Sequence, residues 1–256
     1  MSLRSAIVTG AASGIGRAIA IRLAADGFDV LAADIRRDPI TGGEPTDEVI
    51  RAAGGSAVHV DADVSDPVAC DALVAAAVAR TGALDLLVNN AVLAGDHSKA
   101  LLDTEPEDWD AMMAVNLRGP YLLCRAAVRQ MLTQEPVGDA RGRIVNITSQ
   151  HGMVGCPGHF TYSVGKGGLI QMTRQIAVDY GPQGILCNAV APGKIVTGTP
   201  GDLSAEEQGL AYVKSRTPFP RLGRSEDVAA AVAFLANEAS YVSGTNLMVD
   251  GGWMAY

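Results

Sequence analysis

Short apolar runs alternate with helical patterns along the whole chain, and that alternation restricts it to very few architectures. Strand-like runs are expected near Ser5–Val8, Asp29–Ala33, Ala57–Val60, Leu84–Val88, Arg143–Thr148, Ile185–Val190 and Asn246–Val249. Helical patterns fall between them, near Gly14–Asp26, Asp66–Arg80, Pro106–Met131, Thr161–Tyr180 and Ser225–Ala236, the last opened by an N-cap region at Ser225 and Asp227. A strand–helix repeat covers both faces of a parallel sheet and joins its strands by right-handed crossovers. The expectation is an α/β fold, a doubly wound parallel sheet of Rossmann type, with residues 1–256 in a single domain. Three segments depart from the pattern. Arg36–Pro45 is rich in Gly, Pro and charge, Gln134–Arg141 is a polar insertion, and Lys194–Gly201 with the helical stretch Ser204–Ser215 suits a hinged flap over 194–216.

The first strand-like run leads into Gly10, Gly14 and Gly16, and a helical pattern starts at once. Strand, glycine turn and helix together cradle a dinucleotide. The glycines admit the pyrophosphate close to the backbone, and the helix N-terminus offers free N–H groups and the positive end of its dipole. Glycine clusters also serve ordinary tight turns, so it is the position between strand and helix that carries weight. A second pattern pairs Ser149 with Tyr162-Ser-Val-Gly-Lys166. Tyr and Lys one helical turn apart share a helix face. A free phenol has a pKa of about 10, and an adjacent ammonium would lower it, making Tyr162 a proton acceptor for an alcohol. The Ser149 hydroxyl would hold the reacting oxygen. Taken alone, the pair is equally an amphipathic helix with two surface residues.

Together, in this order and in a chain of this length, these motifs resemble the compact single-domain branch of the short-chain dehydrogenase/reductase family, almost end to end. Thr9-Gly10, Ser13, Gly14, Ile15 and Gly16 match its cofactor turn. Asp63-Val64 matches the residues that meet the adenine. Asn89-Asn90-Ala91 matches the segment after the fourth strand, although Val92 stands where the family usually has glycine. Asn116, Ser149, Tyr162 and Lys166 match the catalytic set, and Pro192, Gly193, Ile195 and Thr197 the segment that holds the nicotinamide amide. Val249-Asp250-Gly251-Gly252 matches the closing signature. The resemblance implies that Lys166 also grips the nicotinamide ribose and that Asn116 positions a water linking Lys166 to solvent. Asn116 precedes Gly119-Pro120, so it is also a candidate for a helix kink.

Composition narrows the partners. A formal net charge of -8 argues against nucleic acid. No apolar run is long enough to span a membrane, and the opening residues enter the first strand without a signal-peptide pattern. Cys70, Cys124, Cys156 and Cys187 contain no Cys-x-x-Cys pair and suit reduced thiols, so a cytoplasmic protein is expected. No His/Cys/Asp spacing indicates a metal site, and His59, between two valines, is expected to be structural.

Asp34 ends the second strand, about twenty residues after the glycine turn, where a carboxylate binds the adenosine ribose and repels a 2′-phosphate. With Ala12 and Ile35 it predicts NAD over NADP, while Arg36 and Arg37 pull the other way. By the family pattern Gln150, His151, Cys156, His159 and Lys194 line the substrate pocket, which then looks polar and partly basic, and His97 is a further clue to the substrate. The expected activity is NAD-dependent interconversion of a secondary alcohol and a ketone, on a sugar, polyol or sugar acid with which Lys194 would pair. One alternative is a 3-oxoacyl-thioester reductase. Another, of a different class, is a cofactor-sensing protein without catalysis. The small and apolar residues on several faces of Pro106–Met131 and Thr161–Tyr180 suggest oligomerisation, the aromatic tail Gly252–Tyr256 is expected to pack at an interface or reach a neighbouring pocket, and the resemblance implies a homotetramer.

Overall fold

The structure is a computed structural model and describes residues 3–93, 99–198 and 207–255. Nine strands and eight α-helices follow one another among them: β1 (Arg4–Thr9), α1 (Gly14–Ala25), β2 (Phe28–Asp34), α2 (Thr46–Ala52), β3 (Ser56–Asp61), α3 (Pro67–Thr81), β4 (Leu86–Asn89), α4 (Pro106–Met113), α5 (Gly119–Met131), β5 (Gly142–Ile147), α6 (Phe160–Tyr180), β6 (Ile185–Pro192), β7 (Ile195–Val196), α7 (Glu207–Arg216), β8 (Gly223–Arg224), α8 (Ser225–Asn237) and β9 (Asn246–Val249). Seven strands form one parallel sheet in the order β3-β2-β1-β4-β5-β6-β9. The order reverses between β1 and β4, and a crevice opens at such a point beyond the carboxyl ends of the strands.

Alternation along the strands divides the core. Ala6, Val8, Val30, Leu86 and Val88 face Ile19 and Leu23 of α1 and Val228 and Val232 of α8. Ile7, Leu31, Leu87 and Ile144 face Leu73 of α3 and Leu123 and Met131 of α5 on the other side. Both sheet faces are covered, so the strands read as continuous apolar runs rather than half-polar ones.

Four details differ from the expectations. Pro106–Met131 is not one helix: α4 and α5 are joined by a π-helical turn over Ala114–Arg118. Pro120 has no N–H to give the Asn116 carbonyl four residues earlier, so the α ladder cannot run through. A short helix, α2, follows Arg36–Pro45, with Pro45 before it and Asp47 and Glu48 in its first turn. Seven residues are too few to register as a helical pattern. Arg224, not Ser225, is the N-cap of α8, and Asp227 does the capping by accepting from the Arg224 N–H at 2.7 Å. Ile195–Val196 and Gly223–Arg224 pair as a small separate parallel sheet, too short to be read from period.

Away from the crevice, Asp29 is 3% exposed and takes a bidentate contact from Arg80 at 2.6 and 2.7 Å. Arg80 and the Ser56 hydroxyl hold its carboxyl below the usual range against burial. Arg80→Ala leaves that carboxylate buried with Ser56 alone and should cost about 2–4 kcal/mol by chemical denaturation. Because the folded pKa is depressed, the stability is present above about pH 4 and lost as pH falls through the lowered native value. Wild type and variant should therefore converge in acid, and a difference independent of pH would contradict the assignment.

Candidate active site

The glycine turn sits in the crevice between β1 and β4. Gly10 has φ +64°, and a Cβ there would stand 2.8 Å from Asn90 Nδ2 and 2.9 Å from Ala91 Cα. At Gly16 a Cβ would collide with the Gly10 carbonyl. Asn90 Nδ2 donates to the Thr9 and Gly10 carbonyls at 2.9 and 3.2 Å, and the Thr9 hydroxyl accepts from the Asn90 and Ala91 N–H groups. Ser13 is the N-cap of α1, but its hydroxyl accepts from the Ile40 N–H at 2.8 Å rather than capping the helix. The first turn of α1, with Gly14, Ile15 and Gly16, therefore has no side-chain cap, as an anion site requires. Thr46 of α2, buried and unforeseen from sequence, fastens the turn by donating to the Ala11 carbonyl at 2.8 Å and accepting from Arg17. Thr41, Val196 and Thr197 join Gly14 and Arg17 in lining a cavity of about 520 Å³ beside it.

Asp34 lies at the mouth, its Oδ2 accepting from the Ala12 N–H at 3.0 Å and its Oδ1 from the Arg36 N–H at 3.3 Å. Ile35 beside it is 63% exposed. Arg37 is engaged by Asp47 and Glu48 and does not reach into the crevice as a spare cation. Asp63 turns one oxygen to the N–H and hydroxyl of Ser65, and Val64 is buried against Gly119. These residues fit a dinucleotide running from the Asp34 mouth across the α1 N-terminus.

Beyond the turn, β5 and α6 bring the proton-handling groups together. Ser149 accepts from the His151 N–H at 3.1 Å and hydrogen-bonds the Tyr162 phenol. Lys166 is 3% exposed and donates to the Ile147 carbonyl at 2.7 Å, its Nζ 5.7 Å from the Tyr162 ring centre. Burial lowers the Lys166 pKa to about 8. Asn116 is fully buried in the π turn, its amide bridging the N–H and carbonyl of Leu93 at 2.8 and 2.9 Å. That side chain serves as a strut, while the π turn relieves the Asn116 carbonyl of its α-helical partner. The helix break expected at Asn116 is present as this π turn.

Burial pushes the Tyr162 phenol up and its hydrogen bond with Ser149 opposes that, while the Lys166 ammonium, turned to the Ile147 carbonyl, lies 5.7 Å from the ring centre.

The substrate-side residues also converge. Gly193 follows β6, its N–H donating to the Val249 carbonyl at 3.0 Å, and Gln150 Oε1 lies 3.0 Å from where a Gly193 Cβ would stand. That oxygen is buried without a hydrogen-bond partner. Ile195 is buried in β7, and Lys194 precedes it. His151, Cys156 and His159 form one cluster, the His159 ring 6.3 Å from the Tyr162 ring centre. Burial lowers the pKa of both imidazoles, that of His151 to about 4 with His159 adding to the effect. His97 lies outside the described residues. Sequence reasoning missed Arg216 of α7, whose guanidinium stacks 4.9 Å above the Trp253 ring. Trp253 in turn meets His151 edge-on at 6.4 Å, so this much of the tail packs against its own chain. Only its aromatic character was a signal.

Comparison with known proteins agrees with this geometry. The model of the family described as enoyl-(acyl carrier protein) reductase matches residues 10–254. The chain is 41% identical to 2-(R)-hydroxypropyl-CoM dehydrogenase of Xanthobacter autotrophicus, over 98% of this chain and 99% of that one. It is 39% identical to glucose 1-dehydrogenase 2 of Bacillus subtilis, over 99% and 95%. The crystal structure of a 3-oxoacyl-[acyl-carrier protein] reductase from Brucella melitensis, in complex with NAD, superposes with a TM-score of 0.90 at 30% identity and covers 100% of this chain and 99% of that one. The chain belongs to the short-chain dehydrogenase/reductase family, whose members are oxidoreductases that use NAD or NADP.

Because burial raises it, Tyr162 should titrate above the ordinary value of about 10. Difference absorption titration against Tyr162→Phe reads this directly, and a phenolate midpoint near 7 would contradict the geometry.

Proposed function

We propose that this protein is an NAD-dependent oxidoreductase that interconverts a secondary alcohol and a ketone on a sugar, polyol or sugar acid. The convergence of Ser149, Tyr162 and Lys166 beside an uncapped helix N-terminus carries the proposal. When bound, NAD supplies the acceptor for the hydride that leaves the carbinol carbon. Gly10, Gly14, Ile15 and Gly16 would hold its pyrophosphate, Asp34 and Ile35 its adenosine, and Pro192, Gly193, Ile195 and Thr197 the carboxamide end. Asp63, Val64, Asn90 and Ala91 would wall the adenine and ribose side.

Tyr162 takes the hydroxyl proton, and Ser149 holds the oxygen as charge develops on it. Lys166 must swing its ammonium from the Ile147 carbonyl toward the phenol to make Tyr162 a base near neutral pH. A lysine lowered to about 8 rather than 10.5 gives up less in that exchange. Asn116 offers the carbonyl through which a water would return the proton to solvent. Asp34, together with the engagement of Arg37 by Asp47 and Glu48, supports NAD over NADP.

The buried, unpartnered Gln150 Oε1 supports a substrate with a hydroxyl to donate, and the similarity to a glucose dehydrogenase agrees. A 3-oxoacyl-thioester reductase remains the second assignment because of the similarity to the Brucella melitensis enzyme, with Asp34 and the polar pocket against it. The complete Ser149, Tyr162 and Lys166 set weighs against a non-catalytic cofactor sensor. Residues 194–198 and 207–216 flank the cleft side expected to act as a flap, and 199–206 of that segment lie outside the described residues. Tyr121, Val164 and Val178, exposed on α5 and α6, would be covered in a homotetramer. Four unpaired thiols suit the cytoplasm.

The direct test is NADH formation across sugars, polyols, sugar acids and hydroxyacyl thioesters. Turnover of a sugar-type alcohol supports the proposal, and turnover confined to thioesters with NADP(H) contradicts it. On the best substrate, Tyr162→Phe should lose about 10²–10⁴-fold in kcat. Because the base must be deprotonated, alcohol oxidation should rise with pH and ketone reduction fall. Lys194→Met should raise KM for a sugar acid and spare a neutral polyol, and equal effects on both would exclude carboxylate pairing.

A further inference from the structure

We propose that His151, Cys156 and His159 form a zinc-binding site on the substrate side of the cleft. The three come from different local structures: a 3₁₀ turn after β5, the loop that follows it, and the residue before α6. Each offers one ligand atom, and the three atoms lie within 4.8 Å of one another. The imidazoles meet edge-on, ring centres 5.5 Å apart at 60°. His159 Nδ1 is buried and has no hydrogen-bond partner. Along the chain the order His-x₄-Cys-x₂-His resembles no common zinc spacing, which is why no metal is expected from sequence. The fold, not the spacing, brings the ligands together.

The donor set selects the ion. Two imidazole nitrogens and one thiolate, with no carboxylate in the cluster, suit a borderline-soft divalent ion and not magnesium or calcium. Bonds of about 2.0–2.3 Å at tetrahedral angles put ligand atoms about 3.3–3.6 Å apart, so closure asks for movement of about 1.5 Å at most. Cys156 stands on the segment able to supply it. A Cβ at neighbouring Gly155 would meet nothing within 4 Å, and Gly158 holds φ +72°.

Coordination forms a zinc–sulfur bond, and the Cys156 S–H proton passes to solvent. Three protein ligands would leave a fourth position for water, and His159, one of the three, has its ring 6.3 Å from the Tyr162 ring centre. The site stands whatever the substrate proves to be, because its test reads the metal and not turnover.

The test uses the purified full chain titrated with Co²⁺ as a spectroscopic probe and then with Zn²⁺. The expected result is one equivalent bound per chain, with thiolate-to-cobalt charge-transfer absorption that zinc abolishes by displacement. Cys156→Ser should lose the band. His159→Asn should weaken binding by at least about tenfold, since loss of even an outer-shell partner of a ligand costs about 10–100-fold. His59→Gln, remote in β3, should change nothing. A measurement without any variant guards against misfolding: zinc should protect Cys156 of the wild-type protein from a thiol-reactive probe. Of the four cysteines it alone is not buried. Absence of saturable binding, a band that survives in Cys156→Ser, or an unprotected thiol would overturn the proposal.

Discussion

The contact of Gly16 with the Gly10 carbonyl, under the amide of Asn90, is the constraint from which the rest of the site follows. Only glycine lets α1 begin so close to the end of β1, and only that closeness aims the first turn of α1 into the crevice. Asn90 reaches across from the end of β4, so the turn is fixed by the two strands between which the sheet order reverses. Thr46 clamps it from α2. Dinucleotide recognition here is thus a property of how the sheet is wound rather than of a loop laid on its surface.

The proton-handling groups follow a different logic. Lys166 is buried deeply enough to make its charge costly, and the protein answers with the Ile147 carbonyl rather than with a carboxylate. The cation thereby sits beside the phenol, 5.7 Å from its ring centre. Burial pushes the Tyr162 phenol up, with Ser149 as its hydrogen-bond partner. Asn116 braces Leu93 through its side chain, in the π turn that Pro120 enforces.

Much of this was legible in the sequence because each feature had a local cause. Buried strands are continuous apolar runs, glycines mark the close approach, and a tyrosine and a lysine four residues apart share a helix face. What stayed hidden depended on contacts between distant segments. The direction of the Lys166 ammonium is decided by a strand carbonyl nineteen residues earlier in the chain. The lowered pKa of His151 and His159 results from burial that no spacing announces. Arg216 over Trp253 joins a helix to the C-terminal tail. α2 was missed because seven residues carry too little period, and the break in Pro106–Met131 was visible only as a proline whose effect could not be given a geometry.

We propose that the crevice between β1 and β4 holds a dinucleotide and that Asp34 selects which one. The most direct measurement is the ratio of NADH to NADPH dissociation constants, read by cofactor fluorescence on the wild type and on Asp34→Ala. Tighter NADH binding is expected of the wild type, with a ratio that collapses toward unity in the variant as the repulsion of a 2′-phosphate disappears. Preference for NADPH in the wild type, or a ratio unchanged by the substitution, would contradict it.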